Sequence, residues 1–213
     1  MNNTSYTVKG GIYLVVDPAM QAAELLAKTK DALEAGIDVV QVWNHWPEHT
    51  DKESLIRSLG KLAHSYLVPV IINEDLSLLQ IDCIDGIHFD QVPEDINAIR
   101  KQAGRNIITG ITCGNDFTKI EWAVANQVDY ISFCSVFPSS SVDTCELVDR
   151  EIIRRTRAFT ALPIFLSGGI TLDNLDDLKD TGLNGIAVIS GIMGSQNSYA
   201  SAKAYTNALK NIK

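Results

Sequence analysis

Two glycine-bearing turns near the C-terminus hold the most readable chemistry in this chain. They are Leu166-Ser167-Gly168-Gly169-Ile170 and Ile189-Ser190-Gly191-Ile192-Met193-Gly194. Each follows an apolar run and leads toward a helix. Glycine lets the main chain approach an anion closely, and the N–H groups at a helix start carry partial positive charge. Gly168, Gly169, Ile189, Ser190 and Gly191 are therefore candidate phosphate-binding positions. In an eight-fold β/α barrel the loops after strands 7 and 8 are the usual phosphate site. If the rest of the chain divides into eight such units, a phosphorylated small molecule is the expected ligand.

Other residues able to do chemistry fall at the ends of apolar runs. Gln41 is embedded in a run that faces the barrel interior, where an unbonded amide is costly, so it faces a ligand or is satisfied by a neighbour. Trp43 either stacks on a heteroaromatic ring or plugs the barrel top. His45 and His49 flank Trp46 and Pro47 in a loop, where either a titrating or a solvated role fits. Asn73, Glu74 and Asp75 set hard oxygen donors at one strand end, suited to Mg²⁺ completed by phosphate oxygens, or equally to the cap of a following helix. His88 lies within a strand, as a bonded core histidine does. Thr112, Ser135 and the hydroxyls of Ser139 to Ser141 complete the set.

Positioning these groups requires strands that alternate with helices. Strand-like runs occupy 12–16, 39–43, 70–73, 86–89, 107–111, 130–133, 163–166 and 185–189. Their near-continuous Val/Ile/Leu content suits parallel strands covered on both faces. Between them lie amphipathic helices over 18–35, with Gly36 as terminator, and over 50–66, with Thr50-x-x-Glu53 as a capping box. Further helices are expected at 94–103, 116–127, 147–159 and 197–211, with a short one after Asn73. Thr171 is expected to cap a helix carrying Leu172, Leu175 and Leu178. The expected fold is a single-domain (β/α)8 TIM barrel spanning 1–213, ahead of an open doubly wound sheet.

The 213 residues are 46% hydrophobic with a net charge of −8, and Lys and Arg do not cluster, so no nucleic-acid surface is expected. No 18-residue apolar run or secretory leader is present, so neither membrane insertion nor export is expected and the cytoplasm is the default location. Cys83, Cys113, Cys134 and Cys145 lack C-x-x-C spacing and read as free thiols in a reducing compartment. Oligomeric state is not readable.

The chain resembles the thiamine phosphate synthase family and its thiazole tautomerase relatives. The resemblance runs in order through Gly11 to Asp17, Gly36 to Trp43, Pro69 to Glu74, Asp85 to Gln91, Asp129 to Ser132, Ser135 to Ser139, Gly168 to Ile170 and Gly185 to Ser190. It implies an enzyme of thiamine biosynthesis that joins a pyrimidine-methyl diphosphate to a thiazole phosphate and releases diphosphate with the help of Mg²⁺.

Carried over by position, the resemblance is partial. Gln41 matches the glutamine of the family's Q-x-R-x-K motif, but Trp43 and His45 stand where the arginine and lysine belong. Asn73 matches the asparagine of the N-D motif, and Glu74 replaces its metal-binding aspartate. The second metal aspartate falls near Val92 and Pro93, with Asp90 the neighbouring carboxylate. The F-P-T-x-T-K loop becomes Phe137-Pro138-Ser139-Ser140-Ser141-Val142, and Thr112 keeps a substrate-contacting hydroxyl. Gln41, Asn73, Ser139 and Ser141 are thus the candidate catalytic residues. Trp43, His45 and Thr112 are candidate substrate contacts, and Glu74 is a candidate Mg²⁺ ligand.

Losing two or three charge-assisted bonds from the diphosphate clamp removes about 3–8 kcal/mol. Two alternatives stay open beside an atypical synthase: a thiazole-phosphate isomerase of tautomerase type and a non-catalytic phosphate-ligand binder.

Overall fold

The computed structural model describes residues 6–138 and 146–212. Eight parallel strands close into a barrel in chain order. They are β1 Gly11–Val16, β2 Val39–Val42, β3 Val70–Asn73, β4 Gly86–Phe89, β5 Ile108–Thr112, β6 Tyr130–Phe133, β7 Ile164–Ser167 and β8 Gly185–Val188. Every boundary lies within a residue of the sequence expectation, and the expected TIM-barrel class is what the chain forms.

The outer layer comprises α1 Ala22–Ala35, α2 Lys52–His64, α3 Ile96–Ala103, α4 Phe117–Ala125, α5 Arg150–Phe159, the one-turn α6 Ser190–Met193 and α7 Ser198–Asn211. Gly36 ends α1 in the left-handed conformation, with φ 92°, as its position suggests. Several helix starts differ from expectation: α1 opens at Ala22 rather than 18 and α5 at Arg150 rather than 147, and two further starts show the reason in their hydrogen bonds. Asp51 rather than Thr50 caps α2, its carboxylate accepting from Ser54 N at 3.0 Å, while Thr50 Oγ1 donates to Pro47 O. A carboxylate one residue nearer the helix makes the better cap. After β7 the chain forms a 3₁₀ helix over Leu175–Thr181 rather than an α-helix from Thr171. Asn174 Oδ1 accepts from Thr171 N, and Leu172 is exposed while Leu175 and Leu178 are buried.

Alternate strand residues point into the barrel, where Tyr13, Val15, Val39, Ile71, Ile108, Tyr130 and Phe165 form an inner cluster. The aromatic rings need glycines opposite them. A Cβ on Gly110 would sit 2.1 Å from the Tyr130 ring, and one on Gly185 would sit 2.4 Å from that of Phe165.

The N-terminal rim repeats one device four times. The residue opening each even-numbered strand, Asp38, Asp85, Asp129 or Asn184, donates its N–H to the carbonyl of the preceding odd strand at 2.8 Å. The same four side chains then accept from the amides of Ile12, Val70, Thr109 and Ile164 at 2.7–2.9 Å. The Asp85 carboxylate also meets His64 Nε2 at 2.7 Å, and this partner raises the histidine pKa above its ordinary value.

Candidate active site at the C-terminal rim

The opposite rim surrounds a cavity of about 720 Å³. Strand ends supply its walls, because the chain leaves each strand there and turns toward a helix. Gln41 from β2 and Trp43 just after it, Asn73 from β3, His88 from β4, Thr112 from β5 and Ser132 from β6 all line it. Gly168, Gly169, Ile189, Ser190 and Gly191 form the wall beyond β7 and β8.

The glycine turns are shaped by packing as much as by any ligand. Gly168 and Gly169 have φ of 85° and 66°, and Cβ atoms there would lie 2.4 Å from Ser135 N and 2.5 Å from Pro138 O. The loop after β6 lies against them, with Val136 N donating to Ser167 O and Phe137 N to Gly168 O. The N–H groups of Gly169, Ser190 and Gly191 have no acceptor among the described residues. Three main-chain donors at the ends of adjacent strands are able to hold an anion.

Below these turns, six side chains form one hydrogen-bonded chain across the barrel. Tyr13 Oη donates to Gln41 Oε1 at 2.6 Å and meets Tyr130 Oη at 2.8 Å. Tyr130 Oη meets His88 Nδ1 at 2.9 Å, His88 Nε2 meets Thr112 Oγ1 at 2.8 Å, and Thr112 Oγ1 meets Ser132 Oγ at 3.0 Å. Burial disfavours the charged forms, pushing the His88 pKa down to about 4 and both tyrosines well above their ordinary value. His88 is therefore a neutral imidazole at pH 7. Gln41 is bonded to a neighbour, Tyr13, and also lines the cavity.

The acidic cluster after β3 divides by role. Asp75 is the N-cap of a 3₁₀ helix over Leu76–Gln80 and pairs with Lys52 at 2.8 Å. Asn73 ties three loops, accepting from Asn44 N at 3.3 Å and donating to Asp90 Oδ2 at 3.1 Å and His88 O at 3.4 Å. Glu74 stands with φ 61°, a conformation rare for a side-chain-bearing residue, and its carboxylate accepts from Asp90 N. Glu74 lies outside the cavity wall, whereas Asp90 forms part of it.

Trp43 is half-buried, packed on the inner barrel cluster and lining the cavity at its top. Its ring tilts against His45, with centroids 4.9 Å apart. His45 is exposed on the rim, its Nδ1 3.0 Å from the Asp17 carboxylate, and it does not reach the wall. Ser139 and Ser141 lie outside the described residues. Cys113 is buried with its thiol pushed up to about 12, and Cys83 and Cys134 are also free; Cys145 lies outside the described residues.

Sequence reasoning missed Lys119, the sole Lys or Arg side chain on the wall among the described residues. It projects from the first turn of α4 and donates to Asp90 O at 3.1 Å and Gln91 Oε1 at 2.8 Å. Its place three residues after Asp116, the cap of a helix that starts at the mouth, was the available signal. The partnership of Tyr13 and Tyr130 was also missed, because their strands are far apart in sequence.

Among the described residues, no helix is long and apolar enough to cross a membrane. The family profile described as "Thiamine monophosphate synthase" (TMP-TENI) matches residues 12–192. A protein of Azoarcus sp. (strain BH72) named thiamine-phosphate synthase is 32% identical, covering 92% of this chain and 95% of its own length. Its namesake in Geobacillus kaustophilus is 34% identical over 89% of this chain and 86% of its own. Among solved structures, a thiamine phosphate pyrophosphorylase from Pyrococcus furiosus superposes with a TM-score of 0.82 at 21% identity, covering 96% and 97% of the two chains, a likeness of fold. With its profile match extending from β1 to α6, the chain belongs to the thiamine monophosphate synthase family.

Proposed function

We propose that the protein joins a pyrimidine-methyl diphosphate to a thiazole phosphate, forming thiamine phosphate and releasing diphosphate. The observation that carries this reading is a cavity of about 720 Å³ with amides at Gly169, Ser190 and Gly191 that have no partner among the described residues on one wall, and Gln41, Asn73 and Lys119 on the other. A volume of that size suits two linked rings. The relatives named thiamine-phosphate synthase support the same reading over nearly the whole chain.

In the reaction, the methylene carbon–oxygen bond of the pyrimidine breaks and its electron pair leaves with the diphosphate. The thiazole nitrogen lone pair forms the new carbon–nitrogen bond, leaving a cationic ring, and no proton is transferred. The catalytic need is stabilisation of the departing anion. Gln41 Nε2 and Lys119 Nζ are the donors we assign to it, with hydroxyls of Ser139 and Ser141 completing the contact. The turns at Gly168, Gly169, Ile189, Ser190 and Gly191 hold the thiazole phosphate. Trp43 stacks on a ring, Thr112 contacts substrate and Asn73 sets the geometry of the β2–β4 loops. We place the protein in the cytoplasm, consistent with its free thiols.

Among the described residues, no group of three or more His, Cys, Asp or Glu side chains could hold a metal ion alone. Mg²⁺ commonly takes one or two carboxylates with substrate phosphates, and Glu74 with Asp90 supplies that number at adjacent strand ends. Those two residues are the ones that would hold it, and the ion would neutralise charge on the diphosphate. An isomerase reading needs a free histidine base. Both ring nitrogens of His88 are already engaged, and His45 stands outside the wall.

The test is a turnover assay with both substrates and Mg²⁺ at high enzyme concentration. Thiamine phosphate formation is expected. Its absence would overturn the reading, and tight calorimetric binding of thiazole phosphate without turnover would instead favour a ligand binder.

A further inference from the structure

Helix α6 has four residues, Ser190–Met193, and no side chain among the described residues caps its start. A helix of one turn makes too few internal bonds to hold itself in place. Its main chain contributes little more than Met193 N donating to Ile189 O at 2.8 Å and Gly194 N donating to Ser190 O at 2.9 Å. The rest of the hold comes from α1 and α7. Lys28 of α1 donates from Nζ to Met193 O at 2.7 Å and to Ser195 O at 2.9 Å. Ser198 of α7, itself buried, donates from Oγ to Ile192 O at 3.1 Å. The phenol of Tyr205, also on α7, packs against the start of α6, where a Cβ on Gly191 would sit 2.4 Å from its oxygen.

We infer that Lys28 is a positioning residue: by fastening the C-terminal end of α6 to α1, it fixes the Ser190 and Gly191 amides at the other end, on the cavity wall. Four residues at about 1.5 Å each span roughly 6 Å, so the little helix moves as one body and fixing one end fixes the other. An ammonium suits the place, because the last carbonyls of a helix lack partners of their own and carry partial negative charge. The Lys28 side chain is 20% exposed and also meets Glu24, one turn earlier on α1, at 3.3 Å. Charge-assisted bonds are the stronger class, so its two outweigh the single neutral bond from Ser198. Lys28 does not line the cavity, and therefore acts through α6 rather than on a ligand. The inference rests on the proposed reaction for the ligand at this wall, the thiazole phosphate. The hold on α6 does not depend on that reaction.

Calorimetry with thiazole phosphate and, separately, with inorganic diphosphate tests it, together with hydrogen exchange at the Met193 and Gly194 amides. Lys28→Met keeps the aliphatic stem and removes both bonds. It is expected to weaken thiazole phosphate binding about 10-fold and to speed exchange at those two amides by a similar factor. Affinity for diphosphate, bound at the far wall, should stay within about two-fold, and Lys28→Arg should recover most of the loss. Ser198→Ala, which removes one neutral bond, should move thiazole phosphate affinity the same way by about two- to three-fold, and it carries the test should Lys28→Met not fold. Asp85→Ala on the opposite rim is the control, since it costs stability and should move neither affinity. Unchanged thiazole phosphate affinity in Lys28→Met, or an equal loss for both ligands, would overturn the inference, as would a loss of the same size in Asp85→Ala. A parent protein that binds thiazole phosphate but makes no thiamine phosphate would sink the proposed reaction and leave this comparison intact. A parent that does not bind thiazole phosphate would overturn both.

Discussion

The two rims of this barrel are built on opposite plans. At the N-terminal rim one pairing recurs at Asp38, Asp85, Asp129 and Asn184, each joining an even strand to the odd strand before it. At the C-terminal rim the chemistry changes around the barrel: an amide on β2 and an indole just after it, an asparagine on β3, a histidine on β4, hydroxyls on β5 and β6, and glycine-bearing main chain after β7 and β8. Repetition serves closure, since any strand pair needs the same bond. Irregularity serves recognition, since a ligand presents different atoms to different walls. Loss at one end should therefore cost stability, and loss at the other should cost chemistry.

The sharpest way to break that contrast is Asp85→Ala. It removes the acceptor for Val70 N and for His64, and should destabilise the fold by about 3–4 kcal/mol in urea titrations. Turnover of the folded fraction should stay within two-fold, and a large loss of turnover without loss of stability would erase the contrast. Next in size is the pH response of the buried His88. Its pKa of about 4 lies below the ordinary 6.5, so the unfolded chain binds the proton more tightly. Stability should fall by about 3 kcal/mol as pH drops from 6.5 to 4. His88→Gln should remove that component of the slope.

Lys119→Gln comes third. One charge-assisted bond contributes about 1.5–3 kcal/mol, so kcat/KM for the diphosphate substrate should drop roughly 10- to 150-fold while the urea midpoint barely shifts. Lys119→Arg should recover part of the loss. The smallest effect belongs to His64, whose raised pKa works in the other direction. Its contribution is present below the ordinary pKa and lost as pH rises through the raised one, and His64→Gln should flatten that shallow alkaline decline.

Much of the scaffold was legible because strands buried on both faces leave a near-continuous apolar signature, as in Gly11–Val16 and Gly185–Val188. Gly36 announced its own left-handed turn. The 3₁₀ segment Leu175–Thr181 was not legible as such, since leucines spaced three apart suit either helix and the hydrogen bond of Asn174 to Thr171 decided the start. Within the site, Gln41, Asn73, Thr112 and the glycine turns were visible as polar or glycine positions ending apolar runs. Tyr13 and Tyr130 were invisible as partners, because a contact 117 residues apart leaves no local trace. His45 illustrates the converse, since its place in a motif did not reveal that Asp17 holds it away from the wall.

The four rim pairings have a consequence for how the chain reaches this shape. Each spans at most 26 residues, so the two strands it joins can meet with little entropic loss once that stretch has left the ribosome. Assembly can then proceed as four short self-fastened segments, leaving the seam between the first and last strands as the one long-range closure.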